Sequence, residues 1–141
     1  MDIDIIFLCK LLSDFGLLVL IWLVQLVIYP SFKYYEISNL KRWHKLYTKR
    51  LTVVVLPLML SQLVLSIYIL VQSSWATFEI IDFIFVLLTW VSTFAVFVPL
   101  HQNITQNKDI NDAVYKLIKY NWFRTAIWTI IPILSLFKAL T

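Results

Sequence analysis

Two imidazoles, two guanidiniums, a carboxamide and a phenol stand out in an otherwise aliphatic and aromatic chain: His44, His101, Arg50, Arg124, Asn121 and Tyr29. Each lies near an end of a long apolar run, and all collect toward the same side of those runs. Such a set can hold an anionic or phenolic head group while apolar side chains hold its tail. In that reading Arg124 and Arg50 anchor the anion, Asn121 and Tyr29 orient it by hydrogen bonds, and His44 or His101 moves a proton. Duller roles exist for the same residues: imidazoles solvated at headgroup level, and arginines snorkelling to lipid phosphate. Two histidines with no clear Cys, Glu or third His partner are a weak ligand set, so no metal site is assigned and the cofactor stays open. A second polar set, Asp14 and Asp82, falls near the opposite ends of the runs as helix-end acids, a proton relay being the sharper alternative for Asp14. Gln25, Gln62 and Thr125 lie inside the runs. They are expected to face a bundle interior, where the amides serve as interhelical glue.

The elements that must position these groups are set by lipid. In 141 residues the chain is 61% hydrophobic and 14% charged, with a mean hydropathy of +0.83. Those values lie outside the range of soluble domains. A hydrocarbon core of about 30 Å needs roughly 20 apolar residues per helical span, and the sequence offers four such runs, at about 11–29, 51–71, 80–100 and 122–140. Each should be unbroken helix, because an unpaired backbone group in hydrocarbon costs several kcal/mol. The fold class is therefore all-α, a single four-helix integral membrane bundle over residues 1–141. Val27-Ile28-Tyr29-Pro30 lacks the small residues of a signal-peptidase site, so the first run is read as a retained helix. The single Cys9 can form no internal disulfide.

Charge gives the orientation. Ten of the twelve Lys and Arg residues flank the first and third loops, leaving Lys10 and Lys138 on the other side. The positive-inside rule then places both termini outside and both basic loops in the cytoplasm of a bacterial inner membrane. So strong a bias also argues against a dual-topology small multidrug transporter. Both basic loops show helical periodicity: Ile37, Leu40, Trp43, Tyr47 and Leu51 in the first, and Ile110, Ala113, Val114, Leu117 and Ile118 in the third. Helices two and four are thus expected to extend into the cytoplasm. Their basic surface is read as a topology determinant that attracts anionic lipid headgroups, and no nucleic-acid module is visible.

At about 100° per residue, Asp14, Gln25 and Tyr29 share a face of helix one, and His44, Thr48, Gln62 and Ser66 share one on helix two, where Pro57 blurs the register. Asp82, Thr89 and Thr93 align on helix three, and Asn121, Arg124, Thr125 and Trp128 on helix four. Four polar stripes imply one shared interior.

Several of these residues sit in local motifs. Tyr-Pro closes the first run (Val27 to Phe32), His44 precedes the second, Val-Pro-Leu-His ends the third (Val98 to His101), and Asn-Trp-Phe-Arg-Thr-Ala-Ile-Trp-Thr opens the fourth (Asn121 to Thr129). Over nearly the whole chain this resembles a group of small bacterial four-helix membrane proteins, which in turn is distantly similar to the anthrone-oxygenase-like membrane family. The resemblance implies a four-helix bundle whose shared polar residues gather at the cytoplasmic end. Gln62 stands where such proteins favour an acid, and no Arg follows Thr129. The leading expectation is an inner-membrane protein that binds a small amphipathic or anionic molecule at its cytoplasmic end, with an oxygenase-like enzyme as one form of it. A structural or accessory membrane subunit and a small transporter are the alternatives. Membrane lipids and a small amphipathic ligand are the expected partners, and the oligomeric state stays open.

Overall fold

The computed structural model describes residues 4–140. Among them are four helices long and apolar enough to cross a membrane: α1, Ile5–Tyr34; α2, Ile37–Gln72; α3, Thr77–Thr105; and α4, Ile110–Leu140. All four exceed the expected spans. At 1.5 Å per residue the 36 residues of α2 measure about 54 Å, well beyond a hydrocarbon core of about 30 Å. The basic loops are consequently helical for most of their length, and the true turns are short. Ser74 and Trp75 take positive φ in the α2–α3 turn, as do Asn107 and Asp109 in the α3–α4 turn. The Asp4 carboxylate caps α1 by accepting from the Ile6 N–H at 3.1 Å.

The sequence expectation that Pro30 closes the first helix is corrected: α1 continues to Tyr34, ending in a 3₁₀ turn. A proline inside a helix clashes with the carbonyl four residues back. For Pro30 that carbonyl belongs to Leu26, inside a π-turn at Val24–Ile28. For Pro99 it belongs to Ala95, inside a π-turn at Thr93–Phe97. The wider turn accommodates the ring, so both helices run on. The Ser92 and Thr93 hydroxyls donate to the Thr89 carbonyl beside the second π-turn, at 2.9 and 2.7 Å.

The helices form a square in which α1 and α3 each pack on α2 and α4, with little contact across the diagonals. Apolar side chains such as Val19, Leu26, Val53, Val64, Val91 and Phe137 face outward on all four. The buried apolar residues fall into two clusters. One, around Phe32, Leu40, Tyr47, Phe97, Ile104 and Leu117, lies at the end that carries the two basic loops. The other, around Leu17, Ile21, Met59, Val86, Ile127 and Ile131, fills the middle.

Candidate ligand-binding site

Between these clusters lies a cavity of about 450 Å³. Leu17, Ile21 and Val24 of α1, Val55 and Met59 of α2, and Trp90 and Trp128 supply its apolar walls. Its polar end is built from Tyr29, His44, Tyr47, His101 and Arg124. Tyr29 follows directly on the α1 π-turn, and Phe97 and His101 lie at or just after the α3 π-turn. π-Turns recur at functional sites because they re-aim the side chains that follow them.

Arg124 is 7% exposed, and its guanidinium carbon sits 4.2 Å from the centroid of the Phe97 ring and 4.8 Å from that of Trp128. Among the described residues it makes no ion pair with a carboxylate. Its Nε has no hydrogen-bond partner, but the guanidinium hydrogen-bonds the Tyr29 phenol, and the Tyr47 phenol couples to it electrostatically. A cation over an aromatic face gains about 2 kcal/mol when desolvated, whereas burying an ion costs several kcal/mol even after relaxation. Two ring faces and a neutral phenol leave that charge without a counter-ion. The Tyr47 hydroxyl and Trp90 Nε1, also buried, lack partners too. All three unpartnered atoms belong to residues that line the same cavity, and all three can donate.

The two histidines meet. The Tyr29 hydroxyl lies 3.1 Å from His101 Nε2, His101 Nδ1 lies 2.7 Å from His44 Nε2, and His44 Nδ1 lies 3.5 Å from Thr105 Oγ1. Thr105 spends its own proton on the His101 carbonyl, at 3.1 Å. With the Thr105 proton assigned to that closer carbonyl, its oxygen accepts from His44 Nδ1–H, and His44 Nε2 accepts from His101 Nδ1–H. His101 Nε2 then accepts from Tyr29. Each group donates to the next, forming a line from buried Tyr29 to exposed Thr105.

The other proposed site residues lie elsewhere. Arg50 is exposed and absent from the cavity wall, because it lies about 120° from His44 around α2. Asn121 is fully buried but faces α1, where its Nδ2 donates to Gln25 Oε1 at 2.9 Å while Gln25 Nε2 donates to the Ile118 carbonyl at 3.2 Å. It clasps two helices and does not line the cavity. Gln25, Gln62 and Thr125 are all buried, with the Thr125 hydroxyl donating to the Asn121 carbonyl at 2.9 Å. Tyr47 and Trp90 also line the cavity; the sequence placed them on helical faces, Trp90 on that of His101, but not among the site residues. Tyr47 is one turn from His44, and its sequence signal was that shared face.

Asp14 and Asp82 are not helix-end acids in contact with water. Both are buried around Lys10, whose Nζ donates to Asp14 Oδ2 at 2.8 Å, Asp82 Oδ1 at 3.0 Å and Ser135 Oγ at 3.1 Å. Asp14 also accepts from Gln62 Nε2 at 2.7 Å and Ser135 Oγ at 2.9 Å, and Asp82 accepts from Ser66 Oγ at 2.9 Å. Gln62 Oε1 in turn accepts from Trp128 Nε1 at 3.2 Å. This network takes side chains from all four helices. Glu79 and Lys138 pair nearby. Among the described residues no group of three or more His, Cys, Asp or Glu is arranged to hold a metal ion. No family model matches the chain, and no curated protein and no solved structure matches it either.

Proposed function

We propose that this chain is an inner-membrane protein, with its termini outside and its basic loops and the ends of α2 and α4 in the cytoplasm, that binds a small amphipathic molecule at the cytoplasmic end of the bundle. The head group of that molecule accepts hydrogen bonds and carries negative charge. One observation carries the reading: a buried arginine with no carboxylate partner faces an apolar cavity alongside two further unpartnered donors. A buried unsatisfied donor costs about 1–3 kcal/mol, so a head group offering acceptors to Arg124 and Tyr47 at the polar end relieves that penalty at both. The apolar walls hold its tail. The line from Tyr29 through His101 and His44 to Thr105 suits it to carry a proton from the head group to the surface. A phenolic occupant, neutral on entry, would pass its proton to Tyr29 as Tyr29 passes its own to His101 and His101 its Nδ1 proton to His44, leaving a phenolate opposite Arg124 while the last proton departs from His44 Nδ1. An oxygenase-like enzyme, the form suggested by the resemblance to anthrone oxygenases, would use the line only for proton removal, with dioxygen as the oxidant.

The test is native mass spectrometry of the protein extracted with its lipids, alongside Arg124→Lys. Lysine keeps the charge but loses the guanidinium edge. The wild type should retain a small amphipath that the variant loses at equal folding. An empty wild-type bundle, or equal retention by both, would remove the ground for the proposal. The saturated Lys10 network specifically favours the accessory-subunit reading, since it locks four helices and leaves no ligand position. A copurifying protein in place of a small molecule would select that reading.

A further inference from the structure

The cavity wall is asymmetric. None of its lining residues on α1 or α4 is exposed, whereas Thr52 and Leu56 on α2 and Phe94, Val98 and Gln102 on α3 are. The opening is therefore a seam between α2 and α3. Its origin is local: α2 meets α3 through Thr77–Ser92 and again through Val98–Thr105, with little contact at the π-turn Thr93–Phe97 between them. The seam is graded along its length. Leu56, Phe94 and Val98 make its deeper lips, and Phe94 is 60% exposed. Thr52, Gln102, Thr105 and Gln106 make its lips toward the basic-loop end. Leu56 is five residues past the expected start of its span at Leu51, about 8 Å deeper along the helix. The deep lips thus open on hydrocarbon and the shallow lips on the interface, the gradient an amphipath in the bilayer itself presents.

We infer that this seam is a lateral entrance through which a single-chain carboxylate amphipath dissolved in the bilayer, such as a fatty acid, slides into the cavity, its carboxylate reaching Arg124 and its tail lying between Leu56 and Phe94. The inference rests on the cavity being a binding site, as proposed above. Arg124 is the one charged side chain among the described residues that line the cavity, so a monoanion matches it, whereas a phosphate dianion would leave net charge buried. The Nε edge that lacks a partner is the side of a guanidinium that grips a carboxylate in two parallel hydrogen bonds. About 450 Å³ suits a single chain and not a two-chain phospholipid.

The experiment uses the full chain in lipid nanodiscs with a long-chain fatty acid bearing a photoreactive diazirine in its tail. Illumination should label peptides containing Leu56 and Phe94, and excess unlabelled fatty acid, but not an alkyltrimethylammonium of equal length, should abolish the labelling. Arg124→Lys should lower apparent affinity tenfold or more. Exchange, followed by chasing bound probe with unlabelled acid before illumination, tests the route. Phe94→Trp should slow it about tenfold and Phe94→Ala should speed it, opposite effects that a packing defect at so exposed a position does not produce. Should Gln102→Trp and Gln106→Trp slow exchange while the Phe94 pair leaves it unchanged, entry is from cytoplasmic water and the lateral route falls, with the binding site intact. Specific labelling by the ammonium probe would overturn the carboxylate assignment. Absence of any competable labelling would overturn the site itself.

Discussion

Asp14 and Asp82 share Lys10, yet their neutralisation should have unequal consequences. In Asp82→Asn the amide oxygen can keep accepting from Lys10 Nζ, now at 3.0 Å, and the amide NH2 can turn toward Ser66, whose hydroxyl is free to rotate and accept. Lys10 keeps its acceptor, the Ser66 proton can turn to the carbonyl one turn back along its helix, and two carboxylates around one ammonium become one. The expected loss is about 1 kcal/mol or less, the scale of a single net hydrogen bond. Asp14→Asn has no such arrangement. Directed toward Lys10 and Ser135, the NH2 meets an ammonium that cannot accept. Directed toward Gln62, it forces that amide to flip and brings Nε2 against Trp128 Nε1–H, a donor facing a donor. One buried donor is lost either way, about 1–3 kcal/mol. The tightest partner of Lys10 also goes, so Asp14→Asn should cost about 3 kcal/mol in all, toward the 3–5 kcal/mol scale of a broken buried pair. Equilibrium unfolding of both variants in mixed micelles, with helicity as the signal, measures the difference. Equal losses, or a larger loss for Asp82→Asn, would mean that Gln62 and Trp128 do not constrain the group at position 14.

Arg124→Met removes a buried charge that lacks a carboxylate, so the variant should be as stable as the wild type or more so while losing its amphipath; marked destabilisation would mean the charge is matched within the protein. Long-range nitrogen–proton NMR correlations should find both His44 and His101 as Nδ1–H tautomers, and an Nε2–H signal from His101 would break the proposed line to Tyr29. Alkaline phosphatase fused after Thr141 should be active and a cytoplasm-dependent reporter silent; the reverse would invert the topology drawn from the charge bias.

The four helices were legible because hydropathy sums over some twenty residues and tolerates local error. The helical character of the basic loops was legible too, since Ile37, Leu40, Tyr47 and Leu51 repeat at helical steps. Helix continuation past Pro30 and Pro99 was not, because a π-turn is an adjustment to neighbouring packing and has no hydropathy signature. The depth of His44 and His101 could be read, but their 2.7 Å contact depends on the register between α2 and α3, which a single-helix rule cannot supply. Lys10 was counted only as an orientation charge, although its four-residue spacing from Asp14 was the signal for a pair. Asn121 and Arg124 share a stripe within about 60°, yet that width spans two neighbours: one side chain meets α1 and the other the cavity.

The two polar regions have opposite hydrogen-bond economies, and that contrast separates scaffold from site. Around Lys10 each carboxylate oxygen has a donor and each ammonium proton has an acceptor, so nothing there gains by meeting a ligand. Along the cavity wall Arg124 Nε, Tyr47 and Trp90 have protons to give and no acceptor to take them, while the two buried acceptors without a donor, Asn121 Oδ1 and Glu79 Oε2, lie off that wall. Gln62 joins the two regions through Trp128, whose indole N–H is spent on Gln62 while its ring face lies under the Arg124 guanidinium. The saturated network thereby holds rigid one wall of the unsaturated cavity. A glutamine suits that post better than the acid expected there, since it gives a proton to Asp14 and takes one from Trp128, where a carboxylate would repel Asp14.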